Sequence, residues 1–279
     1  MSSSPNQHVT PRKGLGQHFL VDTAIARRIV AAIHAHGDET VVEIGPGRGA
    51  LTRFLLESYR KVIAIEIDGR AIAYLREKYS DECREGRLVL LHEDVRDVRF
   101  DSLRRETGAR LHVAGNLPYY LSGLILSALL DARQDVADAT VMLQREVAQR
   151  LTAEPRTKAY GILSVLFQGL GMSEFLFKVP PRAFHPPPNV YSGVVRLQFP
   201  KESPIAIADA RTFLTVVKTL FGKRRKMLRN TVAELTADEE TAGELFRTLS
   251  IDPRRRPEEL SVADFAAIAN YLTQLQRNP

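Results

Sequence analysis

The sequence predicts an α/β fold, a mostly parallel sheet with helices on both faces, followed by a small all-α C-terminal domain. Three observations carry this expectation. Short apolar runs alternate with stretches of helical spacing through the first half of the chain, as in parallel strands joined by crossover helices. A glycine turn follows one of these runs, at the edge where such sheets bind ligands. After Pro204 the pattern holds helices only.

Taken in order, residues 1–13 are rich in Ser, Pro, Asn and Gln and read as a flexible tail. Helical spacing begins at Val21. Strands are expected at Thr40 to Ile44, Lys61 to Ile67, Leu88 to His92, Leu111 to Ala114 and Thr140 to Leu143, with helices at Ala50 to Tyr59, Arg70 to Tyr79, Ser122 to Leu130 and Arg145 to Thr152. Met172 to Val179 and an alternating run from Val194 to Phe199 read as two closing strands, joined by a loop stiffened by Pro180-Pro181 and Pro186-Pro187-Pro188. Pro200 to Pro204 marks a boundary, so residues 14–200 form the α/β domain and 201–279 the helical one. Helices there are expected at Asp209 to Leu220, Arg224 to Leu235, Ala242 to Leu249 and Ser261 to Gln274.

At 279 residues, 44% hydrophobic and 26% charged, the chain has ordinary globular composition and length for a sizeable core. Its one cysteine, Cys83, excludes an internal disulfide. With neither a secretory leader nor an apolar run of membrane-spanning length, a cytoplasmic protein without membrane contact is expected. The net charge is +6, and the basic residues cluster. Lys218, Lys223, Arg224, Arg225, Lys226 and Arg229 occur with no acid between them, and Arg254-Arg255-Arg256 follows. Such runs suit phosphate, although a solvated helix face has the same look.

Glu43-Ile44-Gly45-Pro46-Gly47-Arg48-Gly49-Ala50 places a glycine turn between a strand and a helix. Glycine lets the backbone pass close to a ligand and adopt positive φ. Gly45-x-Gly47-x-x-Ala50 also satisfies a dinucleotide fingerprint, which keeps an NAD-dependent oxidoreductase open. Glu43 favours another ligand, because a carboxylate there repels pyrophosphate and attracts the ammonium and sulfonium of S-adenosylmethionine. Glu66, ending the second strand, is placed to accept from ribose hydroxyls with either cofactor. Asp94 can accept from an adenine amine with Val95 as an apolar wall, or can equally cap a helix. The scattered histidines offer no metal-ligand spacing.

Asn116-Leu117-Pro118-Tyr119 sets an amide and an aromatic ring at a strand end, which suits a planar base carrying an amino group. An ordinary strand-to-helix turn has the same composition.

Together these residues resemble the class I S-adenosylmethionine-dependent methyltransferases, and within them the rRNA adenine dimethyltransferases of the KsgA family. Gly14-Leu15-Gly16-Gln17-His18-Phe19-Leu20, the Asn116 tetrapeptide, Gln144 to Arg150, Tyr160-Gly161, Phe184-x-Pro186-x-Pro188-x-Val190-x-Ser192 and Arg224 to Asn230 carry the likeness. It implies a Rossmann-like, seven-stranded sheet. It also implies His18 and Leu20 beside the methionine end of the cofactor, Gly45 under it with Gly47 in the same turn, Glu66 on the ribose, Asp94 on the adenine amine and Asn116 near the sulfonium. Phe184, which by itself reads as a core plug between strands, becomes a second wall for a base stacked on Tyr119. In this scheme the Asn116 side-chain oxygen and the Leu117 carbonyl accept the hydrogens of a target amine, on a turn stiffened by Pro118. The helical domain becomes RNA-binding through Lys223, Arg224, Arg225, Lys226 and Arg229. The implied substrate is a pair of adjacent adenosines in the 3'-terminal hairpin of 16S small-subunit rRNA, within a precursor 30S particle, with a monomeric enzyme. A 23S large-subunit rRNA methyltransferase of the macrolide-resistance type is the alternative.

Overall fold

The computed structural model describes residues 18–236 and 238–277. The expected tail over 1–13 and the Gly14 to Gln17 part of the amino-terminal motif lie outside the described residues. Nine strands are present among those described: β1 (Phe19–Leu20), β2 (Thr40–Ile44), β3 (Lys61–Glu66), β4 (Leu88–His92), β5 (Leu111–Asn116), β6 (Val136–Gln144), β7 (Met172–Val179), β8 (Phe184–His185) and β9 (Ser192–Gln198).

Seven of them form one sheet in the order β4-β3-β2-β5-β6-β9-β7. The pairs β3–β4, β2–β3, β2–β5 and β5–β6 are parallel, and β6–β9 is antiparallel. Val41, Val42, Val62, Ile63, Ala64 and Ile65 are buried, as expected of central parallel strands covered on both faces. The helices between them bury one face each. In Thr23–Val30 that face is Ala26, Ile29 and Val30, and Asp22 Oδ1 starts the helix by accepting from the backbone N–H of Ala24 and Ile25 at 3.0 and 3.1 Å. Gly69–Lys78 buries Ala71, Ile72 and Leu75 behind the Asp68 cap.

Because β2 to β5 run parallel, their carboxyl ends share one edge. Ile44 pairs with Ile65 and Gly115, and Glu66 with His92, so Glu43, Glu66, Asn116 and the start of the loop after β4 come together there. A second, two-stranded sheet pairs β1 with β8, Phe19 opposite His185 and Leu20 opposite Phe184. Two residues per strand leave no periodicity to read, and the sequence pattern does not predict this sheet.

The chain divides into two compact units: residues up to 148 with 174–198, and residues 149–173 with those from 199 onward. Residues 149–173 therefore group with the helical unit, whereas the sequence pattern assigned them to the α/β domain. The reason is an unpredicted helix, Ile162–Gly169, that buries Val165, Leu166 and Phe167. Within this unit Gly169 lies so close to Phe213 that a Cβ would stand 2.6 Å from the ring. Tyr160 is fully buried, donates to the Leu260 carbonyl at 2.9 Å and meets Phe221 edge-on, which in turn stacks on Phe265.

The helix expected over Arg224 to Leu235 shrinks to Arg229–Val232. The backbone N–H groups of Leu228 and Arg229 donate instead to the Arg255 and Pro253 carbonyls at 2.8 and 3.0 Å. Those bonds replace the i−4 ladder that a continuous helix needs.

Candidate active site

A pocket opens at the carboxyl edge of β2 to β5. His18, Leu20, Glu43, Gly45, Gly47, Glu66, Asp94, Val95, Asn116, Leu117, Pro118 and Tyr119 all line it, so twelve of the residues singled out from sequence are brought together. The glycine turn adopts left-handed backbone at Gly45 (φ +67°) and Gly47 (φ +55°). A Cβ on Gly47 would press on the Phe19 ring at 3.1 Å.

The carboxylates differ in state. Glu43 is buried and accepts from the Thr52 hydroxyl at 2.5 Å; burial outweighs that bond, the Glu66 charge adds to it, and the carboxyl is pushed up to about 7. It is thus only partly charged at neutral pH, which tempers the electrostatic argument from sequence. A cation in the pocket would restore the charge. Glu66 is also raised, chiefly by burial, although its oxygens accept from the N–H of Asp68 at 2.9 Å and of Gly47 at 3.1 Å. A carboxylate offers about four acceptor sites, so both oxygens can still take a ribose hydroxyl.

Asp94 accepts from the Arg96 backbone N–H at 2.9 Å and from its guanidinium at 2.6 to 3.0 Å, and this pairing holds its carboxyl below the usual range. No helix starts at Asp94, since the next one, Phe100–Thr107, begins behind Arg99; Asp94 closes a local turn with Arg96 and lines the pocket.

Asn116 ends β5, and its Nδ2 donates to the His18 carbonyl at 3.1 Å. Only the NH2 group can donate to a carbonyl, so the amide orientation is fixed and Oδ1 is left as an acceptor. Leu117 follows with its N–H on the Met142 carbonyl at 2.9 Å, and Pro118 starts a turn closed by Leu121 at 3.0 Å. The Tyr119 hydroxyl is 2.6 Å from Ser192 Oγ. Burial pushes this phenol up, so it stays protonated. The His18 ring lies 5.7 Å from that of Tyr119, and its Nδ1 is 2.7 Å from the Pro186 carbonyl.

Phe184 stands apart. It is 3% exposed, packs in the core with Val179, Ala183 and Val194, and does not line the pocket. Its place is the core plug that a lone Phe between strands suggests, and a base wall on Phe184 is not formed in this conformation.

The sequence reading missed Ser192 as the anchor of Tyr119, 73 positions away, and Thr52 as the partner of Glu43. It also missed Arg48, which stacks on Phe19 at 4.7 Å, and the half-exposed Tyr120. Ser192 was visible only as the end of a motif, because no local pattern encodes so distant a contact.

In the helical unit the basic residues divide. Lys223 is paired with Glu234, and Arg224 with Glu258 at 2.6 Å. Arg225, Lys226 and Arg229 are exposed. Acids from elsewhere in the chain thus offset part of a run that looked unopposed in sequence.

Among the described residues no group of His, Cys, Asp or Glu is arranged to hold a metal ion, and no helix is long and apolar enough to cross a membrane.

A seven-stranded sheet of this order, with acids and a glycine turn at its carboxyl edge, defines the Rossmann-like class of methyltransferases. The chain belongs to the ribosomal RNA adenine dimethylase family, whose description matches residues 9–274. It is an enzyme of that family and draws its methyl groups from S-adenosylmethionine. A ribosomal RNA small subunit methyltransferase A from Thiobacillus denitrificans is 45% identical over 263 residues, covering 94% of this chain and 98% of its own length. One from Aromatoleum aromaticum is 45% identical over 262 residues, 94% of each chain. Among solved structures, the 23S rRNA methyltransferase ErmE has a TM-score of 0.71 at 25% identity, covering 92% of this chain and all of its own. A dimethyladenosine transferase from Plasmodium falciparum shares the fold, with a TM-score of 0.78 at 22% identity over 92% and 98% of the two chains.

Proposed function

We propose that this enzyme dimethylates N6 of two adjacent adenosines in the 3'-terminal hairpin loop of small-subunit rRNA, acting as a cytoplasmic monomer on a precursor 30S particle. The observation that carries the reading is the Asn116 amide, whose donor is spent on His18 while its acceptor remains at the pocket. The 45% identity to a small-subunit methyltransferase A supports the choice of RNA.

The donor set fits S-adenosylmethionine. Glu66 takes the ribose hydroxyls, Asp94 the adenine amine against Val95, and Glu43, His18 and Leu20 border the methionine end, over a turn kept bare by Gly45 and Gly47. Bound there, S-adenosylmethionine supplies a methyl group made electrophilic by the adjacent sulfonium.

The residues of this chain prepare the nucleophile. An adenine amine is a weak one, because its lone pair is delocalised into the ring. Asn116 Oδ1 and the Leu117 carbonyl accept its two hydrogens and turn the lone pair out of the ring plane toward the methyl group. Pro118 holds the turn, and Tyr119, fixed by Ser192, offers a face on which the flipped base stacks. That face also favours the positive charge that grows on nitrogen. Once methylated, the amine is acidic enough to pass its proton to water, so no strong base is needed. A monomethylated amine still has one hydrogen for the two carbonyl oxygens, which permits the second transfer. Lys223, Arg224, Arg225, Lys226 and Arg229 supply phosphate contacts, the first two by exchanging their acid partners for RNA.

A second reading, a 23S rRNA target, rests on the likeness to ErmE. Primer extension on rRNA from a strain lacking this protein separates the two. Loss of the stops in the small-subunit hairpin is expected; loss confined to large-subunit rRNA would establish the second reading.

A further inference from the structure

The helical unit holds a second concavity, of about 670 Å³, between the short helix Arg229–Val232 and the helix Glu239–Leu249. Its floor is apolar, with Ala233, Ala242, Phe246 and Ile251, and Arg229 and Arg247 stand in its walls. Both arginines are exposed and neither has an acid partner among the described residues. Of the two acids that line it, Asp252 is held by Arg254 at 3.0 Å, and Glu239 begins a helix, where a carboxylate suits the helix end.

The groove also sits where the two basic runs of the sequence meet. Leu228 N–H donates to the Arg255 carbonyl and Arg229 N–H to that of Pro253, which locks the end of the Lys223 to Arg229 run against the Arg254 to Arg256 run. One face of the groove is bare because of Gly243, where an added Cβ would meet only Arg247 Nη1, at 3.8 Å.

We infer that this groove holds one unstacked nucleotide of the RNA substrate at a site separate from the methyl-transfer pocket, its phosphate on Arg229 and Arg247 and its base over the apolar floor by Phe246. Two unpaired guanidiniums beside an apolar, aromatic-floored cleft are the combination that single-stranded RNA requires: charge for the backbone and a surface for a splayed base. A duplex would offer no base to the floor, and an acidic peptide no ring. The inference rests on the reading of the protein as an enzyme of small-subunit rRNA.

The test uses the full-length protein and undermethylated small subunits. Arg247→Ala removes a phosphate partner, and Gly243→Leu fills the groove while favouring the helix that carries it. Each variant is expected to weaken RNA binding about tenfold, in line with the loss of one good contact, with kcat at saturating RNA and affinity for S-adenosylmethionine unchanged. Arg247→Ala should also flatten the plot of log affinity against log salt by about 0.7, the value for one phosphate on a single strand. Gly243→Leu should leave that slope as it is. Unchanged RNA affinity in both variants, or weaker binding by Arg247→Ala with no change of slope, overturns the inference. A wild-type protein that neither binds nor methylates small subunits would instead overturn the reading beneath it.

Discussion

Asn116 is committed on one side and open on the other, and that asymmetry sets its expected effect. On the proposed mechanism Asn116→Ala removes the acceptor for the reacting amine, together with the donor to the His18 carbonyl. A fall in kcat of about a hundred- to a thousandfold is expected, the usual cost of one preorganised hydrogen bond at a reacting centre, with RNA affinity near that of wild type by filter binding. Glu43 makes a different prediction. An acid displaced from 4.5 to about 7 by burial contributes stability that is complete below 4.5 and is lost as the pH rises through 7. The displacement corresponds to roughly 3 kcal/mol. Glu43→Gln keeps the acceptor for Thr52, so without cofactor it should melt above wild type at pH 8, and the gap should close near pH 5. A gap independent of pH in calorimetry would mean that Glu43 is not buried as an acid. The site residues around the glycine turn and the Asn116 tetrapeptide were legible in sequence because each sits at the end of a strand or in a turn with a distinctive residue type. Phe184 was not, since pocket and core are indistinguishable for a single aromatic residue.

Strands β2, β3 and β4 begin and end within a residue of the positions expected from their apolar runs. Of these, β2 and β3 are buried on both faces and nearly continuous in hydrophobicity, and the half-buried edge strand β4 keeps an apolar run from Leu88 to Leu91. Elements whose partners lie far along the chain were less legible. The segment Leu228 to Arg229 follows a helical pattern, yet its N–H groups bond to a distant loop. The helix Ile162–Gly169 is a short, mostly apolar run of eight residues, which sequence pattern does not separate from a buried strand. Within the sheet, Gly115 is the tightest point. A Cβ there would stand 2.6 Å from the backbone oxygen of Ile44 on the neighbouring strand, which cannot swing aside as a side chain would. Gly115→Ala should therefore spread β2 from β5 next to Asn116. A loss of roughly 2 kcal/mol in denaturant unfolding is expected, with weaker S-adenosylmethionine binding at temperatures where the variant is folded. Wild-type stability and binding would show that the strands can part there freely.

For the molecule as a whole, the basic excess in the sequence overstates the charge available to RNA. Lys223 and Arg224 already hold Glu234 and Glu258, which leaves Arg225, Lys226 and Arg229 as the ready contacts of that run. The salt dependence of its RNA contacts should accordingly lie between about three phosphates from this run, if Lys223 and Arg224 keep their acids, and about five, if both are released to RNA. Substituting Glu234 by Gln should strengthen RNA binding modestly at low salt by releasing Lys223, and unchanged affinity would show that Lys223 does not reach the RNA. Chain length and composition indicated a large and a small domain, but the grouping of 149–173 emerged only from packing. The central claim is that the pocket at the carboxyl edge of the sheet joins an adenine amine to a methyl group. It is tested most directly by incubating the protein with undermethylated small-subunit rRNA and isotopically labelled S-adenosylmethionine, then digesting the RNA for mass spectrometry. The expected result is labelled N6,N6-dimethyladenosine at two adjacent positions of the 3'-terminal hairpin with wild type, and almost none with Asn116→Ala. Label on another base, or equal dimethylation by Asn116→Ala, would contradict the account.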